Sequence, residues 1–217
     1  MHSEDAPLEH VTLSVELSIE AKREFYNTHT RVLVQAARWG ASAVLDGGKI
    51  LIFGNGGSAA DAQHMAAEMI GRMLCERRKP LPAIALTTDT SGLTAVGNDY
   101  SFEDVFAFQV KALGKKEDIA IAISTSGNSK NVLRAVEAAK EIGMRVISFT
   151  GGNGGKLKTL SDLNLNVAKG LHSSMIQETH ITIIHLFVDL MDRFFLPPEY
   201  VETGAFPAGT FTGSKRD

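Results

Sequence analysis

His64 and Glu68 stand four residues apart in LIFGNGGSAADAQHMAAEM (51–69), so a helix through them puts both side chains on one face. An imidazole nitrogen and a carboxylate oxygen are ordinary ligands of a divalent metal, and both can move protons. A surface ion pair would use the same spacing. A second group lies far downstream in MIQETHITIIHLF (175–187), which carries Gln177, Glu178, His180 and His185. On a helix Glu178 and His185 fall within about 20° of each other, and Gln177 and His185 within about 80°. Spacing leaves both choices open. It leaves open as well that His185, between Ile184 and Leu186, is a buried, hydrogen-bonded histidine.

Two further segments suit a phosphate. Gly54-Asn55-Gly56-Gly57-Ser58 ends an apolar run and opens a helix near Ala59. Glycines let backbone approach an anion, and the free amides of a helix start point at it. Ser124-Thr125-Ser126-Gly127-Asn128-Ser129 repeats the arrangement with four hydroxyls, and Lys130 adds a charge or is simply solvated. Either loop alone reads equally well as a plain turn. Neither ends in the Gly-Lys-Ser/Thr of a P-loop, so a phosphorylated small molecule is favoured over a nucleoside triphosphate. A competing pattern exists: Gly54, Gly56 and Ala59 satisfy G-x-G-x-x-A, with Asp89 near the end of a second strand to hold a ribose. That reading leaves the hydroxyl-rich loop without a purpose.

These residues must be carried by alternating strands and helices. Five short runs read as strands: KILIF (49–53), AIALT (83–87), DIAIAIS from Asp118, RVISFT from Arg145 and LNLNV from Leu163. The first four are apolar runs rather than long alternations, as in strands covered on both faces. Between the third and fourth, Val132, Leu133, Val136, Ala139 and Ile142 recur at helical spacing before a stop at Gly143. The expectation is an α/β fold with a five-stranded parallel sheet between helices. Ahead of it, Val11 to Asp46 reads as one long or two shorter helices. The last apolar helix, from about Ile176 to Phe195, meets Pro197-Pro198, and the Gly/Thr/Pro-rich end (197–217) is expected to be mobile.

Composition bounds the function. The chain has 217 residues, a net charge of -3 and a pI near 6.2, so it lacks the basic field that dominates duplex binding, and no nucleic-acid partner is expected. Its single cysteine, Cys75, has no partner for an internal disulfide. The start, MHSEDAPLEH, lacks the basic-then-apolar build of a secretory signal, and no apolar run approaches a membrane span. The expected location is the cytoplasm, with no membrane partner.

Taken together, GNGGSAADAQH, ISTSGNS, VGNDYSFEDVF and IQETHITIIH resemble the sugar isomerase (SIS) domain and, within it, the phosphoheptose isomerases. The resemblance runs from about Ala37 to Phe195. It implies an SIS-type three-layer sandwich over 37–196, an extra N-terminal helical segment over 1–36 and a flexible tail over 197–217. It implies an aldose–ketose isomerase that converts sedoheptulose 7-phosphate, a phosphorylated seven-carbon sugar, into D-glycero-D-manno-heptose 7-phosphate for lipopolysaccharide heptose. It also implies a homotetramer with sites at subunit contacts and one zinc ion per subunit. By the same resemblance the zinc ligands are His64, Glu68, Gln177 and His185, and the acid/base pair is Glu68 and His185. Glu68 and Gln177 also touch the sugar, together with Asn55, Gly56, Gly57, Ser58, Asn98, Asp99, Ser124, Thr125, Ser126 and Ser129. The chain departs from the family where members often carry Asp and Arg and it has Ser174 and Met175, a departure that bears on sugar orientation and ring opening. The same scaffold occurs in a bacterial regulator that binds the replication initiator DnaA, the alternative that the resemblance leaves.

Overall fold

The computed structural model describes residues 5–71 and 79–195. Cys75, Pro197-Pro198 and the expected mobile tail lie outside them. The sequence folds as α1 (Asp5–Leu45), β1 (Ile50–Gly54), α2 (Gly57–Ile70), β2 (Ala83–Ala85), α3 (Thr90–Asp99), α4 (Val105–Leu113), β3 (Ile119–Ser124), α5 (Lys130–Ile142), β4 (Arg145–Gly151), α6 (Leu157–Leu160), β5 (Leu163–Val167) and α7 (Ser173–Leu190). All strand pairs are parallel, in the order β2-β1-β3-β4-β5.

Side-chain alternation along the central strands feeds two cores. Ile50, Ile52, Ile119, Ile121, Ile123, Ile147 and Phe149 pack on one face with α1, α2 and α7. Leu51, Phe53, Ala120, Ala122 and Val146 pack on the other with α4 and α5. Every residue of β1 and β3 is buried, which explains why these strands read as continuous apolar runs. In β5 Leu165 and Val167 join the first core, whereas Asn164 and Asn166 bond Ser148, Thr150 and Gly152 O on β4 and its loop.

The N-terminal segment is one unbroken helix of 41 residues. From Ser18 onward it buries Ala21, Phe25, Leu33, Ala36, Ala37 and Ala41, positions that fall on one stripe of the helix. The expected division at 36/37 falls within this helix. Ahead of Ser18, Leu8, Val11, Leu13 and Val15 stay exposed. α7 begins at Ser173, three residues before the expected start, and runs into a π-turn at Met191–Phe195.

The strand order sets where a ligand goes. The chain leaves β1 for β2 on one side and then crosses to β3 on the other, so β1 and β3 bracket the point where the winding reverses. In such sheets ligands bind beyond the carboxyl ends of the strands at that point. β1 and β3 pair through Gly54↔Ile123, which starts the 54–58 and 124–129 loops side by side. At the other end the buried Asp118 accepts from Lys49 N and Lys115 N at 2.8 Å each and pairs with Lys49 Nζ at 2.6 Å. That junction fixes the two strands in register.

Candidate active site

The first loop is shaped by its glycines. Gly54 passes so close to β3 that a Cβ there would stand 2.8 Å from Ile123 O. Gly56 turns the chain with φ 57° into α2, whose first turn no side chain caps, and Ser58 is buried beneath it. At Gly57 a Cβ would collide with the amide of Gln177. The bare backbone is what lets Gln177 lie against this loop.

The second loop gathers hydroxyls. Ser124 Oγ lies 3.0 Å from Ser129 Oγ and 3.4 Å from Ser126 Oγ. Gly127, at φ 64°, closes the turn through its N–H to Ser124 O. Asn128 holds the loop from outside: its Nδ2 donates to Ser126 O and its Oδ1 accepts from Lys156 N. Thr125 is half-buried. No side chain caps α5, so this is a second helix start open to an anion. Lys130 does not serve the loop, because its ammonium pairs with Glu103 at 2.8 Å.

The long-range expectation concerns α2 and α7, which pack side by side. α2 buries Ala62, Met65, Ala66 and Met69, which turns His64 and Glu68 along the flank. α7 buries Ile176, Thr179, His180, Ile183, Ile184 and Phe187, leaving Gln177 and His185 two turns apart on one edge. His64 Nε2 lies 2.9 Å from His185 Nε2 and 3.7 Å from Glu68 Oε1. A ligand atom from each of the three falls within 4.8 Å of the others. Donors around a tetrahedral ion with bonds of about 2.1 Å stand about 3.4 Å apart, so the cluster fits a metal ion.

The neighbours of α7 set Gln177 and Glu178 apart. Glu178 faces α1, accepting from Ser18 Oγ and pairing with Lys22 Nζ at 3.3 Å. These bonds hold its carboxyl below the usual range. His180 is the buried histidine, completely enclosed with Nε2 3.1 Å from Thr150 O; burial pulls its pKa down to about 4. Ser174 is exposed in the first turn and Met175 is buried.

Asn98 and Asp99 lie at the end of α3, bonded to each other at 2.8 Å and exposed. Asp89 caps α3 by accepting from Gly92 N, a structural duty for the carboxylate that a ribose would need. Sequence reasoning missed Asp61. It is buried one turn before His64, its Oδ2 has no hydrogen-bond partner, and burial pushes its carboxyl up to about 6 against the pull of His64. Its spacing from His64 was the available signal.

Comparison with known proteins places the chain in a family. The profile described as "SIS domain" matches residues 17–151, and the chain belongs to that family. A phosphoheptose isomerase of Helicobacter pylori is 52% identical over 178 residues, 82% of this chain and 88% of the relative. That of Aquifex aeolicus is 50% identical over 176 residues, 81% and 91%. Among solved structures, a phosphoheptose isomerase from Neisseria gonorrhoeae superposes with TM-score 0.80 at 49% identity, covering 85% of this chain and 98% of that one. One from Francisella tularensis gives 0.82 at 42%, covering 86% and 98%. Within its family the chain therefore stands with the phosphoheptose isomerases, as a phosphosugar isomerase.

Proposed function

We propose that this chain interconverts sedoheptulose 7-phosphate and D-glycero-D-manno-heptose 7-phosphate, the entry to lipopolysaccharide heptose, in the cytoplasm. The observation that carries the reading is the meeting of His64 and Glu68 with His185, 121 residues away from His64, on helices that flank two anion-ready loops. The names of the half-identical relatives support the substrate.

The phosphate sits among Ser124, Thr125, Ser126 and Ser129 and the amides of the loop. Asn55, Gly56, Gly57 and Ser58, with Asn98 and Asp99, border the sugar chain. Glu68 takes the C1 proton of the open ketose and returns it to C2, while His185 gives a proton to O2 and takes one from O1. Atoms and charge balance through an enediol. His64, Glu68, Gln177 and His185 would hold the metal, which we take to be one zinc ion per subunit. Such an ion, when bound, supplies Lewis-acid polarisation of the sugar oxygens. Gln177 keeps its amide against Gly57, on the edge of α7 that it shares with His185.

The working unit is a homotetramer. No residue of α3 is buried within one chain, and Tyr100 and Phe102 beside it are exposed, as is the apolar start of α1. Of the 1–36 extension, the turns of α1 ahead of Ser18 then meet other subunits. Glu68→Gln keeps the shape of the site and removes the base, so kcat is expected to drop by about 10²–10⁴ with the fold intact. A variant that turns over at the wild-type rate would remove Glu68 from the proton path.

A further inference from the structure

We propose that Asn131 is a positioning residue for the isomerisation: through a reciprocal amide pair with Asn55 it fixes the distance between the phosphate loop and the His64–Glu68–His185 cluster. The inference rests on the phosphosugar reading above and adds to it a residue that touches neither sugar nor metal.

Asn131 is the second residue of α5 and is only 4% exposed. Asn55 Nδ2 donates to Asn131 Oδ1 at 2.8 Å, and Asn131 Nδ2 donates back to Asn55 Oδ1 at 2.8 Å. Asn131 Oδ1 also accepts from Val132 N at 2.9 Å, so the amide is held by its own helix while it holds the other loop. A buried amide left unpaired is costly, which makes the pair a specific contact rather than an incidental one.

Its place gives it a purpose. The ladder between β1 and β3 ends at Gly54↔Ile123. Among the described hydrogen bonds, the amide pair is what joins the 54–58 segment to the 124–131 segment beyond that point. On the far side of the same loop, Gly57 lies against Gln177. A chain of contact therefore runs from Asn131 through Asn55 to Gly57, which lies against Gln177 and opens α2, the helix that carries His64 and Glu68. A phosphosugar spans that length, with its phosphate at one end and its reacting carbons at the other. Misplacement by about 1 Å can cost about 100-fold in rate, so the length of the span matters to turnover. The Asn55 side chain is thereby engaged with Asn131, and its contribution to the substrate falls to its backbone.

The test uses the full chain and four variants: Asn131→Leu, Asn131→Asp, Asn55→Leu and the double leucine variant. Calorimetry follows inorganic phosphate and sedoheptulose 7-phosphate, alongside kcat/KM and thermal midpoints. Asn131→Leu is expected to bind inorganic phosphate within about twofold of wild type, because the serine hydroxyls remain, yet to lose at least about tenfold in kcat/KM. Asn131→Asp keeps the acceptor for Asn55 and Val132 but has no N–H for Asn55 Oδ1, so it is expected to recover only part of that loss. The double variant should be no worse than either single one, since both remove the same pair. Phosphate affinity falling in step with kcat/KM would overturn the proposal, because Asn131 would then only shape the phosphate loop. Additive losses in the double variant would overturn it as well. A wild type that leaves sedoheptulose 7-phosphate unconverted would count against the substrate reading alone, and additivity of the thermal midpoints would still decide the pair.

Discussion

His180 and His185 sit five residues apart on one helix and meet opposite fates. His185 reaches the α2 flank beside His64, whereas His180 is enclosed against Thr150 O and Phe149. Nothing in residue type distinguishes them, and spacing had offered His185 the buried role. The difference comes from the neighbour each one faces. His180 makes a pH prediction. Its pKa is drawn from 6.5 to about 4, so between those values the unfolded chain takes up a proton that the folded chain refuses. Stability therefore falls as pH drops through that window and levels off below it. Asp61 has the opposite sign, since a carboxyl raised to about 6 loses stability as pH rises toward that value. Comparison with His180→Gln isolates the histidine. On going from pH 7.5 to 5, the wild-type melting midpoint is expected to fall by several degrees more than that of the variant. Parallel midpoints would show that His180 is not held neutral by burial.

At the scale of elements, the strands were legible because two-sided burial demands apolar runs, and β1 and β3 deliver them without interruption. The unbroken length of α1 was not legible, since 11–46 holds no proline and its one glycine, Gly40, did not tell one helix from two. Nor was the choice between Gln177 and Glu178: α2 stands on one side of α7 and α1 on the other, and no local pattern records that. The loops were legible as anion-ready, but their bracing was not. Gly127 shows what braces the second loop. Its φ is 64°, and a Cβ would collide with the backbone of Gly154. Gly127→Ala should therefore cost about 1–2 kcal/mol from the left-handed backbone alone. The loop would be displaced, and KM for the phosphosugar is expected to rise at least about tenfold. Steady-state kinetics with a thermal melt would check this; an unchanged KM would mean that the loop tolerates the shift.

Considered as a whole, one chain buries a complete two-faced core, yet no residue of α3 is fully buried and the apolar side chains in the first turns of α1 stay exposed. Apolar side chains in such contiguous places mark surfaces that other chains cover. No helix among the described residues is long and apolar enough to cross a membrane. The mass in solution, measured by light scattering during size-exclusion chromatography, is expected at about four times the 23.4 kDa of one chain. A monomer at micromolar concentration would leave those faces unexplained. Surface composition hinted at this assembly only weakly in the sequence, because an exposed leucine and a buried one look alike until the fold divides them.

In the proposed function the cluster of His64, Glu68, Gln177 and His185 converts a heptulose phosphate with the help of a metal. NMR of purified chain with sedoheptulose 7-phosphate, before chelation, after it and after zinc is restored, tests that claim most directly. The predicted result is aldose 7-phosphate that forms, stops forming under chelation and forms again with zinc. A folded assembly that yields no aldose in any of the three states, or yields it equally in all three, would overturn metal-assisted isomerisation at this cluster.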